Sequence, residues 1–564
     1  MFKEYNDIFC KYSNIYGNKV TVLMEVGKFY ELYSIENKCE SNNENSIHYV
    51  ANLLNIQVSK KNKNIENVSS SNPYMAGFPS QTLTKFLNIL IENQYNVVIV
   101  DQIMNGKDNI KREVSSVISP STYTNNLISY DSNYIMSVYM DSINCFKTKS
   151  KIYDLGVSVI DLSTGANYVF NIQTKFHNLN EELNRLYLQY NVKELLLLSK
   201  DDIDLNIQFN CMIHNKLGQI EKQYLDVHYQ NKMIEKVFKP KVMLSPIEYI
   251  NLEFYSSICV SYCVLLQFVY EHNEKLLINL HIPEFISQDD CLYLGNDCVQ
   301  QLNIIGSSKC LLNITNNCIT HMGKRRFKYL LLNPISNVET LNSRYDDIDQ
   351  MIRNDKCDEI RRAMKTCIDV ERYIHKSYIE PIELYQLYES FLSIRKIYEI
   401  NKDDMEDIEL SINNLTRWCN ISECECFTSK RQYNSKIIVS NDELSTLYDN
   451  IQKTLHNVKE CIDTLYSDVS ACIATCSNDM IKTELMEDGY ELTMTMKRYE
   501  KIKHCKQITV LSKTKSVVKI STYEISTLNT VYKEYCDEYN DTFRKVYHDK
   551  LKNYLSNMSD VLNR

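Results

Sequence analysis

Four sets of side chains stand out for what they could bind or catalyse. Phe29-Tyr30-Glu31 sets an aromatic ring and a carboxylate two positions apart, which puts both on one face if the segment is a strand. Taken by itself, such a pair reads as a core aromatic beside an exposed acid. Between Tyr490 and Ile520, Lys497, Arg498, Lys501, Lys503, Lys506, Lys513, Lys515 and Lys519 stand against only Glu491 and Glu500. In a chain of formal net charge −9, this local reversal of sign suits phosphate groups better than simple solvation. Asp141, Asp154 and Asp161 lie near expected strand ends and raise the alternative of a metal-dependent nuclease, although no partner acids can be placed for them. Cys419, Cys424 and Cys426 come nearest to a metal cluster, but they lack a second pair of ligands, so no metal site is expected.

The Gly-Lys pairs are Gly27-Lys28, Gly106-Lys107 and Gly323-Lys324, and five places before those glycines stand Val22, Asp101 and Cys318. No G-x-x-x-x-G-K-[ST] phosphate loop exists. No catalytic residue is assigned, and no ATP hydrolysis is expected from this chain alone.

The elements that must carry these residues follow from composition and pattern. With 564 residues, 44% hydrophobic content, 8 Pro and 11 Gly, the chain can bury several cores and is expected to build long helices. The N-terminus has no import pattern. The most apolar stretch, Ile258 to Tyr270, is broken by Ser261 and Gln267 and is too short to cross a bilayer. With its 20 Cys read as reduced core residues, the chain is expected to be soluble and intracellular, without membrane contact.

From Val20 to Gln102 the pattern predicts strands at Lys19 to Met24, Phe29 to Ser34 and Asn96 to Val100, with helices near Ser46 to Leu54 and Thr82 to Asn93. A polar loop carrying Lys60, Lys61 and Lys63 lies between. After Thr122 a second mixed sheet is predicted, with strands near Tyr134, Leu155 and Glu194 and a helix from Asn178 to Tyr190. Ser245-Pro246-Ile247-Glu248 reads as a capping box opening a long helix, and Ser440 as the start of a second. Leu444, Leu447, Ile451, Leu455, Val458, Ile462 and Leu465 form one apolar stripe. Leu528, Val531, Tyr535, Tyr539, Val546, Leu551, Tyr554 and Met558 are expected to seam the last helix. Between those helices, Tyr490 to Met496 alternates as a strand, with Gln507 to Leu511 as its expected partner.

Met24-Glu25-Val26-Gly27-Lys28-Phe29-Tyr30-Glu31-Leu32-Tyr33 resembles the Phe-x-Glu motif of the MutS family of DNA mismatch repair proteins. Met75-Ala76-Gly77-Phe78-Pro79, Asp101-Gln102, Ile118-Ser119-Pro120-Ser121-Thr122, Thr320-His321-Met322-Gly323, Ile368-Asp369-Val370-Glu371-Arg372 and Gly489-Tyr490-Glu491 follow in the family's order. The resemblance implies a multidomain α+β chain: a mixed α/β mismatch-recognition domain at 1–122, an RNase H-like α/β connector at 123–244, a long-helix lever domain at 245–475, a β-rich clamp at 476–520, and a lever helix at 521–564. That last helix would return toward an ATPase domain the chain is expected to lack, so ATP and magnesium are not expected as its own cofactors.

By the same resemblance, Phe29 would stack on a mispaired base and Glu31 would hydrogen-bond its edge. Lys28, where many relatives carry Asp, Lys60, Lys61 and Met75 would bind DNA near them, and Lys497, Arg498, Lys513, Lys515 and Lys519 would hold backbone phosphates. The implied partners are double-stranded DNA with mismatches or small loops, a second MutS-like subunit and downstream repair factors. The compartment would be the cytoplasm, a viral replication site or the nucleus; the Asn-, Ile-, Lys- and Tyr-rich composition fits a divergent branch from a large DNA virus. A repair scaffold that no longer reads DNA and a nuclease of the connector stay open as alternatives.

Overall fold

The computed structural model describes residues 2–562 apart from 18, 36–43, 66, 105–109, 125–130, 145–150, 206–208, 241, 279, 287–291, 293, 295–297, 307, 354, 377, 402–404, 426–437, 473–480, 487 and 503–507. Two units, Met1–Ser377 and Tyr378–Leu562, each have their own interior.

In the first unit α1 (Phe2–Tyr16) leads into β1 (Val20–Val26) and β2 (Phe29–Ser34), followed by α2 (Ile47–Leu53), β3 (Ser59–Lys60), β4 (Tyr74–Pro79), α3 (Leu83–Glu92), β5 (Asn96–Met104) and β6 (Ile110–Ile118). Their strands form one sheet in the order β3-β4-β2-β1-β5-β6. Only the central pair β1–β5 is parallel. Both central strands are buried on their two faces, which explains their near-continuous apolar runs. One face packs Leu23, Tyr30, Leu32, Phe78 and Val97 beneath α2 and α3, with Leu90 of α3 buried among them. The other packs Val20, Val22, Met24, Tyr33 and Val98 against Tyr5, Phe9, Tyr12 and Tyr16 of α1, a helix the sequence reading did not single out.

A second sheet combines β7 (Tyr134–Asn144), β8 (Lys151–Asp161), β9 (Asn167–Lys175), β10 (Glu194–Ser199), β11 (Met212–Leu217) and β12 (Glu284–Phe285), in the order β11-β10-β7-β8-β9-β12. β7, β8 and β9 form an antiparallel meander, and β10 and β11 add in parallel. Around it lie α4 (Leu179–Tyr190), α5 (Val227–Phe238), α6 (Pro246–Tyr249) and α7 (Ser256–Asn273). The apolar stretch from Ile258 is therefore a core helix, seated so closely that a Cβ on Gly156 would come within 2.1 Å of the Ser257 backbone. Among the described residues no helix is long and apolar enough to cross a membrane.

The Ser245 capping box is present, but the helix it opens is the short α6 rather than a long one. Asn251 takes a positive φ of 56°, which ends the helical path before α7 begins. The unit continues with α8 (Cys298–Gln301), α9 (Leu311–Thr315), α10 (His321–Leu332), α11 (Val338–Arg353), α12 (Cys357–Met364) and α13 (Val370–Ile374).

The second unit contains α14 (Pro381–Asn401), α15 (Glu406–Trp418), α16 (Ile421–Glu425) and α17 (Asp442–Cys472). Then come β13 (Lys482–Met486), β14 (Gly489–Thr495), α18 (Met496–Ile502), β15 (Thr509–Lys513), β16 (Val517–Ser521) and α19 (Tyr523–Leu562). All seven stripe residues of α17 are buried. Its cap is Asn441, whose side chain accepts from the Glu443 and Leu444 amides at 2.9 and 3.2 Å, rather than Ser440. The α19 seam also differs from the sequence reading: Tyr532, Cys536, Tyr539, Phe543 and Tyr547 are buried, whereas Val531, Tyr535 and Val546 are only partly covered. The small sheet has the order β13-β14-β16-β15, so β15 pairs with β16 and not with β14 as the alternation suggested.

Candidate nucleic-acid interface

Val26 and Phe29 are register partners, so β1 and β2 turn on Gly27 and Lys28, with Gly27 at a φ of 63°. A glycine at the first turn position suits the twist of a tight hairpin. The turn is held from β5: Gln102 Oε1 accepts the Gly27 amide at 3.3 Å, and the Gln102 amide donates to Glu25 at 2.9 Å. The Tyr30 hydroxyl donates to Asp101 at 2.8 Å. Lys28 stands exposed at the turn, and Phe29 beside it is 46% exposed on a strand whose Tyr30 and Leu32 are buried.

Phe29, Glu31 and Tyr33 share the α1 face of the sheet, where their cross-strand partners are Pro79, Gly77 and Met75. A Cβ on Gly77 would lie 3.2 Å from Glu31 Cγ and 2.9 Å from the Tyr30 carbonyl oxygen, so the glycine leaves the groove in which Glu31 lies. The Tyr33 hydroxyl donates to Glu31 Oε2. Burial, then the bond to Glu31, push that hydroxyl well above the usual tyrosine range. Lys61 places its ammonium 5.9 Å from the Tyr33 ring centre. Lys60 is the register partner of Tyr74 and so leaves the sheet on the opposite face; Met75 packs into the core beside Tyr33. The sequence reading missed Tyr33, which reads as one more strand aromatic, and Asn72, a buried amide that accepts from the Asn62 amide at 2.7 Å and donates to the carbonyls of Asn62, Ile65 and Asn67.

The acids of the second sheet do not converge. Asp141 and Asp154 are register partners, and Asp161 is seven residues farther along β8, about 23 Å at strand rise. Asp161 is engaged by the Ser163 and Asn133 amides at 2.9 and 3.2 Å, and Asp154 by Ser257, Asn171 and Gln173. Among the described residues no three His, Cys, Asp or Glu side chains gather as metal ligands. Cys419 and Cys424 are buried 3.3 Å apart; Cys426 lies outside the described residues.

α10 is joined to the Asp369-to-Arg372 segment through Arg325. Thr320 caps α10 by accepting the Gly323 amide at 3.1 Å. Arg325 on that helix donates to Asp369 at 2.6 Å and to Glu371 at 2.7 Å. Although burial works against its charge, those two carboxylates hold the guanidinium firmly protonated. Lys328 pairs with Asp131 at 2.6 Å.

In the second unit the β-tip packs Leu492, Met494, Val518 and Ile520 against Val458, Ile462 and Leu465 of α17. Asn529 of α19 clasps Tyr490 through both backbone groups at 3.1 and 3.0 Å, and a Cβ on Gly489 would reach 2.3 Å from its Oδ1. Lys497, Arg498, Lys513, Lys515 and Lys519 are all exposed on this tip. Lys513 lies 4.8 Å from the Tyr499 ring centre, whereas Lys519 is paired with Glu491 at 2.7 Å. Lys503 and Lys506 lie outside the described residues, as does the side chain of Lys501.

Residues 5–126 match the family model of MutS domain I, and residues 278–549 that of MutS domain III. The chain belongs to the MutS family. It is a divergent member: it is 29% identical to a DNA mismatch repair mutS homolog of Acanthamoeba polyphaga mimivirus over 70% of this chain and 39% of that protein. It is 23% identical to a mitochondrial DNA mismatch repair mutS homolog of Sarcophyton glaucum over 97% of this chain and 61% of that protein. To the DNA mismatch repair protein MutS of Borreliella afzelii it is 25% identical over 67% of this chain and 40% of that protein. The chain thus spans between 39% and 61% of the length of these MutS relatives. Both structural ends of the MutS resemblance, the hairpin carrying Phe29 and the β-tip carrying the lysines, fall inside the matched residues.

Proposed function

We propose that the chain binds mismatched or damaged double-stranded DNA in mismatch repair, with Phe29 as a minor-groove wedge and Glu31 as the contact to the displaced base. The observation that carries this reading is the exposed Phe29 ring on a hairpin braced from β5, with a carboxylate next along the same face. An apolar wedge unstacks a base step at a cost of about a few kcal/mol. A mismatch has already lost part of its pairing and stacking, so the same wedge bends it more cheaply than intact duplex. Selectivity then comes from deformability first and from the Glu31 contact second, since a carboxylate near phosphates penalises DNA that offers it no partner.

On the β-tip, Lys497, Arg498, Lys513 and Lys515 would hold backbone phosphates without sequence preference. The strand order β9-β8-β7-β10-β11, an antiparallel meander followed by two parallel strands, supports the RNase H-like reading of the connector. A second MutS-like subunit and downstream repair factors belong to the same proposal.

The test compares binding of a G·T heteroduplex and its matched control by fluorescence anisotropy across a salt series. The wild-type chain is expected to favour the heteroduplex, and Phe29→Ala to bring the two affinities together while leaving the salt dependence in place. A Phe29→Ala protein with undiminished selectivity would remove the wedge from the mechanism and favour a scaffold.

A further inference from the structure

If the DNA reading above holds, Glu31 must be held in place before it meets a base. A free glutamate on a strand samples many rotamers, and ordering such a side chain costs conformational entropy. Here two neighbours restrict it. Gly77, its cross-strand partner, provides the space for the Glu31 methylenes, and any side chain there would meet Glu31 Cγ. Two positions along the same strand, the Tyr33 hydroxyl donates to Glu31 Oε2. The Tyr33 ring is itself fixed: it is 4% exposed, meets the Tyr5 ring edge-on at 5.4 Å, and has the Lys61 ammonium near its face. Packing alone would be satisfied by phenylalanine at this position; the hydroxyl extends past the core to the carboxylate.

We propose that Tyr33 is a positioning residue for mismatch selectivity: its hydroxyl anchors one oxygen of Glu31 and holds the carboxylate beside Phe29 before DNA arrives. An anchored contact forms without further ordering at the moment of binding, which is how preorganisation raises affinity for the correct partner.

The experiment uses the full chain and five proteins: wild type, Phe29→Ala, Tyr33→Phe, Glu31→Ala and the Tyr33→Phe/Glu31→Ala double variant. Each is titrated with the G·T heteroduplex and with matched duplex. Tyr33→Phe is expected to lower the heteroduplex-to-matched affinity ratio about three- to tenfold. In the Glu31→Ala background the same substitution is expected to change nothing, because the group it positions is gone. An unchanged ratio in Tyr33→Phe, with selectivity lost in Phe29→Ala, overturns the positioning role and leaves the wedge standing. An equal loss in both Glu31 backgrounds also overturns it, since that marks a purely structural tyrosine. Selectivity retained by Phe29→Ala, or absent from the wild type, overturns the wedge reading and this inference together.

Discussion

A single missing side chain shapes the Glu31 site. Gly77 has no positive φ to justify it; what requires glycine is the approach of the Tyr30 carbonyl and the Glu31 methylenes on the neighbouring strand. The carbonyl is backbone and cannot swing aside, so Gly77→Ala is expected to cost about 1–3 kcal/mol of stability as local overpacking. It is also expected to lower heteroduplex selectivity, because the strained neighbour is Glu31 itself. Urea midpoints and paired titrations measure the two effects separately, and a fully stable, fully selective Gly77→Ala protein would contradict the packing argument. Residues that the family resemblance presents as motif letters acquire distinct jobs at this scale. Asp101 and Gln102 brace a turn, Gly77 makes room, and Phe29 alone among the hairpin aromatics faces solvent.

At the scale of elements, the β-tip shows that a run of like charges is not a set of equivalent contacts. Lys513 and Lys515 extend from the β15–β16 hairpin, while Lys519 on β16 is already neutralised by Glu491. Each lysine that releases a counterion on binding DNA adds about 0.9 to the slope of log affinity against log salt. The Lys513→Ala/Lys515→Ala double variant is therefore expected to reduce that slope by about two, for matched duplex and heteroduplex alike. Lys519→Ala is expected to reduce it by clearly less, since its charge is shared with Glu491. Equal effects from all three lysines would show that the Glu491 pair opens on binding. The tip is held to α19 through Asn529 and to α17 through the apolar stripe, so the hairpin is presented by two of the longest helices in the unit.

At the scale of the molecule, the first unit depends on polar joints as well as on its apolar interiors. Glu194 of β10 is fully buried; its carboxylate accepts from Ser119 Oγ at 2.7 Å and from the Ser121 amide at 3.0 Å, and meets His214 Nε2 at 3.1 Å. It therefore ties the segment after β6 to the second sheet. Burial alone would raise this carboxyl, but His214, His272 and Ser121 hold it down at about 2. A depressed carboxyl stabilises the fold above its unfolded value, near 4.5, and loses that contribution as the pH falls through about 2. Glu194→Gln is accordingly expected to destabilise the chain on the order of 3 kcal/mol at pH 7. The gap to wild type should narrow as the pH falls below 4.5, which urea denaturation at pH 7 and pH 3 would read. A gap that is the same at both values would show that the ionised form carries no special stability.

Features set by local period and local charge could be read along the chain. The β-branched runs at Val20 and Asn96, the Ser245 cap, the α17 stripe and the positive tip each depend on residues near one another in the chain, and the family motifs are legible for the same reason. Which surfaces cover one another was left to long-range packing. Alternation places Phe29, Glu31 and Tyr33 on one face, but it is the reach of α1 that buries Tyr33 and leaves Phe29 open. Periodicity gives α19 an apolar seam, but packing selects the row through Tyr532 and Tyr539. The partner of β15, the short run of α6, the capture of Lys519 by Glu491 and the hold of Tyr33 on Glu31 likewise depend on close three-dimensional approach, whose outcome no spacing along the chain encodes.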